Sequence, residues 1–189
     1  MGDAPTNTVG AALVPGSGEH DPGTRTILFT DIVESTSMTQ RLGDEGAFAL
    51  LEVHDGIVRT RVASANGREV KHTGDGIMAV FPSALASVRC AIEVQQTLAQ
   101  HRRDHPDQML FVRIGVASGE PIERAKDLFG SAVQLAARLC SHAAPGQILV
   151  SNVVAELCAG KALPLMDMGP LALKGFDQPV RAHAVSVAL

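Results

Sequence analysis

The feature that most constrains the fold is a glycine-flanked aspartate, Asp75, between two short strand-like segments. Residues 68–73 and 77–81 have the residue types of β-strands, and Gly74-Asp75-Gly76 between them is typical of a tight hairpin turn. A hairpin makes its two strands antiparallel neighbours, so this part of the chain is committed to a β-sheet. The sequence therefore predicts a sheet with an acidic residue at the tip of one hairpin.

Apolar periodicity predicts the other elements of residues 25–189, which are interpreted as one domain. Residues 45–65 and 83–102 have helical spacing, and Ser83 is the predicted N-cap of the second helix. Further strands are predicted at 26–33, 109–118, 147–150, 163–173 and 180–187, and further helices at 35–42, 130–141 and 151–158. The order predicts an α+β fold with a ferredoxin-like βαββαβ core and additional C-terminal α/β elements. We expect one antiparallel or mixed sheet with helices on one face.

Composition excludes several classes of protein. A net charge of −4 with 3% aromatic residues gives no support for a nucleic-acid surface. The three cysteines form no CxxC pair, which argues against a disulfide framework or a zinc site and suits a cytoplasmic protein. The chain shows no signal peptide and no apolar run long enough for a transmembrane helix. Residues 1–24 are rich in small and turn-forming residues and are interpreted as a flexible leader or linker.

Two aspartates occupy unusual places in this predicted fold. Asp31 ends an apolar strand, and Asp75 lies at the hairpin tip. If the two strands are neighbours, two carboxylates meet there and repel each other unless a cation such as Mg²⁺ bridges them. The plainer interpretation is that Asp75 forms a turn and Asp31 caps a helix. The segment after Asp31 favours the first interpretation, because it leads directly into a helix whose free amides could bind phosphate.

Three segments together resemble the catalytic domain of class III adenylyl/guanylyl cyclases. They are Phe29-Thr30-Asp31-Ile32-Val33-Glu34-Ser35-Thr36, the stretch from Lys71 to Phe81 around Gly74-Asp75-Gly76, and the stretch from Gly130 to Leu139 that ends in Ala137-Arg138-Leu139. Their order and spacing agree with the family, and the likeness runs from residue 25 to residue 187. The resemblance implies a bacterial adenylyl cyclase with a short dimerisation arm that converts ATP to cyclic AMP.

The resemblance also implies a role for each matching residue. Asp31, Asp75 and the carbonyl of Ile32 would hold two divalent ions, Mg²⁺ or Mn²⁺. The triphosphate would lie on the amides of Glu34, Ser35 and Thr36. The purine would be bound by Lys71, Asp127 and the neighbouring Leu128, the transition state by Arg138, and the polyphosphate by Lys174. In the family these groups come from two subunits, which implies a head-to-tail homodimer with two composite interface sites.

The implied purine pair has the polarity that adenine requires. An aspartate accepts from the adenine amino group, and a lysine donates to a ring nitrogen. Guanine reverses both polarities, so two buried mismatches would disfavour it by on the order of 10³-fold. Taken without the resemblance, Lys71 is a solvated strand charge and Asp127 a loop acid.

Two positions depart from the common pattern of the family. Gln134 stands where many members carry an asparagine that contacts the ribose, which bears on the rate of turnover more than on nucleotide binding. The connection from Gly119 to Gly130 is shorter than the usual dimerisation arm. The seven histidines are interpreted as structural or solvent-facing, with His72 on the opposite face of its strand from Lys71.

Three other hypotheses remain at this point. The chain could be a degenerate cyclase domain that binds nucleotide as a regulatory module, and Gln134 is the sequence feature that supports this. It could be a guanylyl cyclase, against which Lys71 and Asp127 argue. It could also be a ferredoxin-like interaction domain without an active site, in which case replacing Asp31 would alter no activity.

Overall fold

The computed structural model describes residues 23–187, so the predicted leader lies almost wholly outside the described residues. The strands are β1 (Arg25–Ile32), β2 (Arg68–His72), β3 (Ile77–Phe81), β4 (Val112–Gly119), β5 (Ile122–Arg124), β6 (Asp127–Phe129), β7 (Ile148–Ser151), β8 (Leu165–Leu171) and β9 (Val180–Val185). The helices are α1 (Ser35–Ser64), α2 (Ala84–Asp104), α3 (Ser131–His142) and α4 (Asn152–Leu157). Within residues 23–187, no helix is both long and apolar enough to cross a bilayer.

Seven strands form one mixed sheet in the order β2-β3-β1-β4-β7-β9-β8. Every neighbouring pair is antiparallel except β4 and β7, which are parallel. β3 lies between β1 and β2, and β1 lies between β3 and β4, which is the arrangement of interlocked split βαβ units. The predicted α+β class is confirmed, and the hairpin tip between β2 and β3 lies beside the end of β1.

The expectation that the helices cover one face of the sheet is wrong. Leu28 and Ile32 of β1 pack in one core with residues of α1, α2 and α4. Ile27 of the same strand packs with Ala132 and Ala136 of α3 on the opposite face. The cause is the near-continuous apolar sequence of β1 and β4, since a strand that is buried on both faces needs a cover on each.

The helical segments predicted at 35–42 and 45–65 are the two arms of α1. They meet at Gly43, whose backbone (φ 72°, ψ 174°) is not helical. Glycine adopts this conformation without steric cost, so α1 bends here instead of ending. The predicted N-cap of α2 is confirmed, because the Ser83 hydroxyl accepts a hydrogen bond from the amide of Ala86 at 3.3 Å.

The short connection after β4 contains a small hairpin, β5-β6, that the sequence did not predict. Ala125 and Lys126 turn it with positive φ angles of 52° and 65°. Left-handed turns of this type are usually marked by Asn-Gly or Asp-Gly. An Ala-Lys pair carries no such signal, so the hairpin was missed.

Gly115 lets α3 lie directly on β4, and its replacement by alanine is expected to destabilise the fold. An added Cβ would lie 2.2 Å from both the Ala136 carbonyl oxygen and the Cys140 amide nitrogen. Because both contacts are backbone, α3 must move away from the sheet, at a cost of about 3 kcal/mol or more in the free energy of unfolding. Urea denaturation of Gly115→Ala measures the loss.

The matched control is Gly56→Ala, in the exposed part of α1, where an added Cβ meets nothing within 4 Å. It is expected to raise the free energy of unfolding by about 0.5–1 kcal/mol, because alanine favours helix over glycine. Equal stability of the two variants would contradict the close seating of α3.

Candidate active site

The end of β1 and the tip of the β2-β3 hairpin bring Asp31 and Asp75 together. The amide of Ile32 donates to the backbone carbonyl of Asp75 at 3.0 Å, which fastens the tip to the strand. An added Cβ on Gly76 would lie 1.9 Å from the Thr30 carbonyl oxygen, so only glycine permits this approach. The sequence Gly-Asp-Gly therefore places one carboxylate directly beside another.

Each carboxylate has a partner, and the two influence each other. Arg113 of β4 donates to Asp31 and also to the Ser141 carbonyl at 3.1 Å. The Ser35 hydroxyl donates to Asp75 at 2.6 Å. Burial, and then the negative charge of Asp75, raise the pKa of the Asp31 carboxyl, while Arg113 opposes the rise. The site therefore has an excess of negative charge that favours a cation.

The donor atoms at this place fit a hard divalent ion. Two carboxylates and the Ile32 carbonyl are all oxygen ligands, which Mg²⁺ and Mn²⁺ prefer. No group of three or more His, Cys, Asp or Glu residues capable of holding a metal exists among residues 23–187. Magnesium sites of the substrate-bridged type need only one or two carboxylates, because water and phosphate oxygens complete the coordination.

The N-terminus of α1 opens onto the same place. Glu34 has a left-handed backbone (φ 55°, ψ 38°), and its carbonyl accepts the amide of Met38 at 2.9 Å. By helix geometry the amides of residues 35–37 have no intrahelical acceptor. The side chain of Glu34, the N-cap residue, does not cap them either. Amides of Ser35 and Thr36 at a helix start are suited to a phosphate.

Lys71 and Asp127, the predicted purine pair, are joined by an ion pair of 2.6 Å between Nζ and Oδ2. A register shift between Glu69 and Lys71 in β2 turns Lys71 toward β6. The hydrogen bond from Lys71 holds the pKa of Asp127 below its usual value. His72 lies on the opposite face, as predicted, and contacts Asp55 of α1.

Leu128 takes part in this pair only through its backbone. Its amide donates to Asp127 Oδ1 at 2.8 Å, while its side chain is 2% exposed and packs with Ile27 and Met78. The side chain is therefore out of reach of a nucleotide. Leu128 instead helps to fix the Asp127 carboxylate through its backbone amide.

Gln134, Arg138 and Lys174 line one cavity of about 210 Å³. Gln134 and Arg138 lie one turn apart on the exposed side of α3, and Lys174 lies in the loop after β8. Phe176 forms part of the wall. The three predicted residues are thus brought together, with polar side chains directed into a shared depression.

The predicted residues form three separate groups within one chain. Among residues 23–187, no hydrogen bond or ion pair links Asp31 or Asp75 to the Lys71–Asp127 pair or to the cavity at Arg138. Arg113 is a residue that the sequence analysis missed. It lies opposite Asp31 in the β1-β4 register, and the signal was a charged residue within the buried run of β4.

Comparison with known proteins gives concordant matches. Residues 20–186 match the family described as "Adenylate and Guanylate cyclase catalytic domain". An uncharacterized protein of Mycobacterium tuberculosis is 38% identical over 157 residues, which are 82% of this chain and 39% of the relative. The chain thus spans about two fifths of the length of this relative.

Two solved structures share the fold over most of the chain. An adenylate/guanylate cyclase/hydrolase from Silicibacter pomeroyi has a TM-score of 0.79 and 31% identity, covering 88% of this chain and 97% of that one. The adenylyl cyclase CyaB from P. aeruginosa has a TM-score of 0.80 and 26% identity, covering 88% and 95%. Both likenesses extend over 88% of this chain.

Proposed function

Because the chain belongs to the adenylate and guanylate cyclase catalytic domain family, we propose that it converts ATP to 3′,5′-cyclic AMP and pyrophosphate. The observation that carries the choice of ATP is the pair of Lys71 and Asp127 at 2.6 Å. The similarity to an adenylyl cyclase of P. aeruginosa supports the same choice.

After bonding to each other, Lys71 and Asp127 still have a hydrogen-bond donor and acceptors available for a nucleotide base. Lys71 Nζ has three hydrogens and uses one on Asp127, and each carboxylate oxygen of Asp127 has a second lone pair. The ammonium can donate to a ring nitrogen of adenine, and the carboxylate can accept from its amino group. With guanine, the donor Lys71 would face a donor of the base and the acceptor Asp127 would face an acceptor. This mismatch supports ATP as the substrate.

The reaction is an in-line attack of the ribose 3′-hydroxyl on the α-phosphate, with pyrophosphate as the leaving group. Arg138 donates to the α-phosphate oxygens where negative charge grows, and this stabilises the transition state. Lys174 neutralises the leaving polyphosphate, and Gln134 orients the ribose. The amides at the start of α1 bind phosphate oxygens, and they cost no reorganisation because the helix holds them in place.

Two divalent ions, Mg²⁺ or Mn²⁺, would be held by Asp31, Asp75 and the Ile32 carbonyl, and when bound they supply acidity to the 3′-hydroxyl and charge to the phosphates. Before substrate arrives, Arg113 compensates the charge of Asp31. Asp75 is oriented by the Ser35 hydroxyl. Arg113 and Ser35 therefore each hold one carboxylate of the pair in place.

The proposal includes a head-to-tail homodimer in which each site is composite. Among residues 23–187, no hydrogen bond or ion pair joins the aspartates to the group of Gln134, Arg138 and Lys174. A second copy would bring the cavity at Arg138 over the aspartates of the first. The dimer thereby explains why reactive side chains of α3 are exposed in a single protomer.

Replacing Lys71 by glutamate tests the choice of base. The variant is expected to lower the ratio of kcat/KM for ATP to that for GTP by about 10²-fold, because it replaces the hydrogen-bond donor of the Lys71–Asp127 pair with an acceptor. Purified protein is assayed for cyclic AMP from ATP and cyclic GTP from GTP, with Mg²⁺ and with Mn²⁺. Lys126→Glu makes the same charge change at an exposed neighbour and should keep the wild-type ratio.

A wild-type enzyme that prefers GTP would contradict the assignment of ATP as the substrate and favour a guanylyl cyclase. ATP binding without any cyclic product would favour the nucleotide-binding module that Gln134 suggests. Equal ratios for Lys71→Glu and Lys126→Glu would show that the pair does not contact the base.

A further inference from the structure

A chain of hydrogen bonds lies behind the two aspartates, on the α1 face of the sheet. On the hairpin side, the amide of Gly74 donates to His72 Nδ1 at 3.2 Å. His72 Nε2 in turn lies 3.1 Å and 3.2 Å from the two carboxylate oxygens of Asp55. Asp55 belongs to α1, so this branch connects the hairpin tip to the helix.

A second branch returns from α1 to the sheet. His54 Nδ1 lies 2.9 Å from Asp55 Oδ1, and His54 Nε2 lies 3.1 Å from the Thr30 hydroxyl. The Thr30 hydroxyl accepts the amide of Ile77 at 2.9 Å. The chain therefore starts at Gly74, immediately before Asp75, and ends at Ile77, two residues after it.

One assignment of protons satisfies every member of this network. A carboxylate only accepts, so both imidazoles donate to Asp55, His54 from Nδ1 and His72 from Nε2. His72 Nδ1 is then free to accept from Gly74. His54 Nε2 accepts from the Thr30 hydroxyl, whose oxygen accepts from Ile77. The arrangement requires both histidines to be neutral and to be opposite tautomers.

Burial makes the part of the network formed by His54 and Thr30 rigid. His54 is 0% exposed and Thr30 is 1% exposed. Burial is the main cause that lowers the pKa of the His54 imidazole, which favours the neutral form that the geometry requires. Asp55 is also anchored by Arg59, at 3.0 Å, and Arg59 is held by Glu69. Paired polar groups in the buried part of the network specify one geometry, while His72 closes the network at the surface.

The network holds both metal-binding strands from behind. Thr30 immediately precedes Asp31 in β1. Its hydroxyl accepts the amide of Ile77, the first residue of β3, and so fixes the start of that strand. His72 fixes the other side of the tip through Gly74. The separation of the two carboxylates thus depends on these bonds, in addition to the backbone bond from Ile32 to Asp75.

We propose that Thr30, His54, Asp55 and His72 form a positioning network that sets the distance between Asp31 and Asp75, and thereby the affinity for divalent ions. These residues contact neither nucleotide nor metal, so they are positioning residues and not catalytic ones. The inference rests on the proposed function only for the role of the divalent ion in catalysis. It revises the interpretation of His54 and His72 as merely structural or solvent-facing.

The test compares two threonine-to-valine substitutions in β1. Thr30→Val removes the hydroxyl that joins His54 to Ile77. Thr26→Val removes an equally buried hydroxyl of the same strand. This hydroxyl forms a 2.7 Å hydrogen bond with Ser118 of β4, away from the hairpin tip. Thr30→Val loses two buried hydrogen bonds and Thr26→Val loses one, so Thr26→Val controls for the general loss of stability that follows from removing a buried hydroxyl of this strand. Thr30→Ser keeps the hydroxyl.

Mn²⁺ alone is titrated into each purified protein, and free Mn²⁺ is measured by electron paramagnetic resonance. Thr30→Val is expected to raise the Kd for Mn²⁺ about tenfold or more, since a misplaced carboxylate loses a ligand contact. Thr26→Val and Thr30→Ser should stay within about twofold of the wild type. The measurement needs no turnover, so its outcome is independent of whether the chain makes cyclic AMP.

Amide hydrogen exchange gives a second readout that does not depend on metal. In Thr30→Val and in His72→Ala, peptides that contain Gly74 and Ile77 should exchange faster than in the wild type, while α2 peptides do not change. His72 lies at the surface, so its removal leaves the core intact. Wild-type Mn²⁺ affinity together with wild-type exchange at the tip in these variants would overturn the proposal, even if the protein cyclises ATP.

Discussion

Asp75→Asn is expected to lower the rate of cyclic AMP formation about 10³-fold, which corresponds to about 4 kcal/mol in the activation barrier. Asp75 supplies one of the two carboxylates at the point where the triphosphate and its metal ions would lie. An asparagine keeps the shape but removes the negative charge that binds the ions. The rate is measured with saturating ATP and Mn²⁺.

The same substitution should leave the fold intact. Asparagine can still direct an oxygen toward the Ser35 hydroxyl, which donates to Asp75 at 2.6 Å. The backbone bond from Ile32 to residue 75 does not involve the side chain. Thermal unfolding should therefore occur within a few degrees of the wild type. Asp107→Asn, at an exposed acid after α2, is the matched control and should keep full activity.

A folded Asp75→Asn protein with wild-type activity would remove the carboxylate pair from the mechanism. The hypothesis of an interaction domain without an active site predicts that result. A fall in activity that accompanies loss of folded structure would instead point to the turn-forming role of Asp75.

Arg138→Ala is expected to lower the rate by about 10²–10³-fold, because it removes a fixed positive charge from the transition state. Arg138 lies on the exposed side of α3 and lines the cavity shared with Gln134 and Lys174. Alanine is a strong helix former, so α3 should remain folded. Arg89→Ala, at an exposed position of α2, controls for loss of an arginine as such.

Mixing the two inactive variants should restore activity if the site is composite. When equal amounts of Asp75→Asn and Arg138→Ala exchange subunits, half of the dimers are mixed, and each mixed dimer has one intact site. About one quarter of the wild-type rate is then expected. A mixture as inactive as its components would mean that each chain builds its site alone. Specific activity of the wild type should also fall on dilution.

The sequence predicted most elements because their signals are local. The hairpin around Asp75, the cap at Ser83 and the periodicity of α2 depend on neighbours within a few residues. The β5-β6 hairpin was missed because its turn residues, Ala125 and Lys126, carry no turn signal. The placement of α3 was also wrong in the sequence analysis, since nothing local tells which face of a strand a later helix will cover.

By itself, the sequence determined the order of most elements and placed Asp31 at a strand end, Asp75 at a hairpin tip and Asp127 in a short connection. The resemblance to the cyclase family added the roles, and the family match bears out that resemblance. Only the tertiary structure decided which side chains meet. Asp31 and Arg113 are 82 residues apart, and Lys71 and Asp127 are 56 apart. Such contacts depend on strand order and register, which periodicity does not encode.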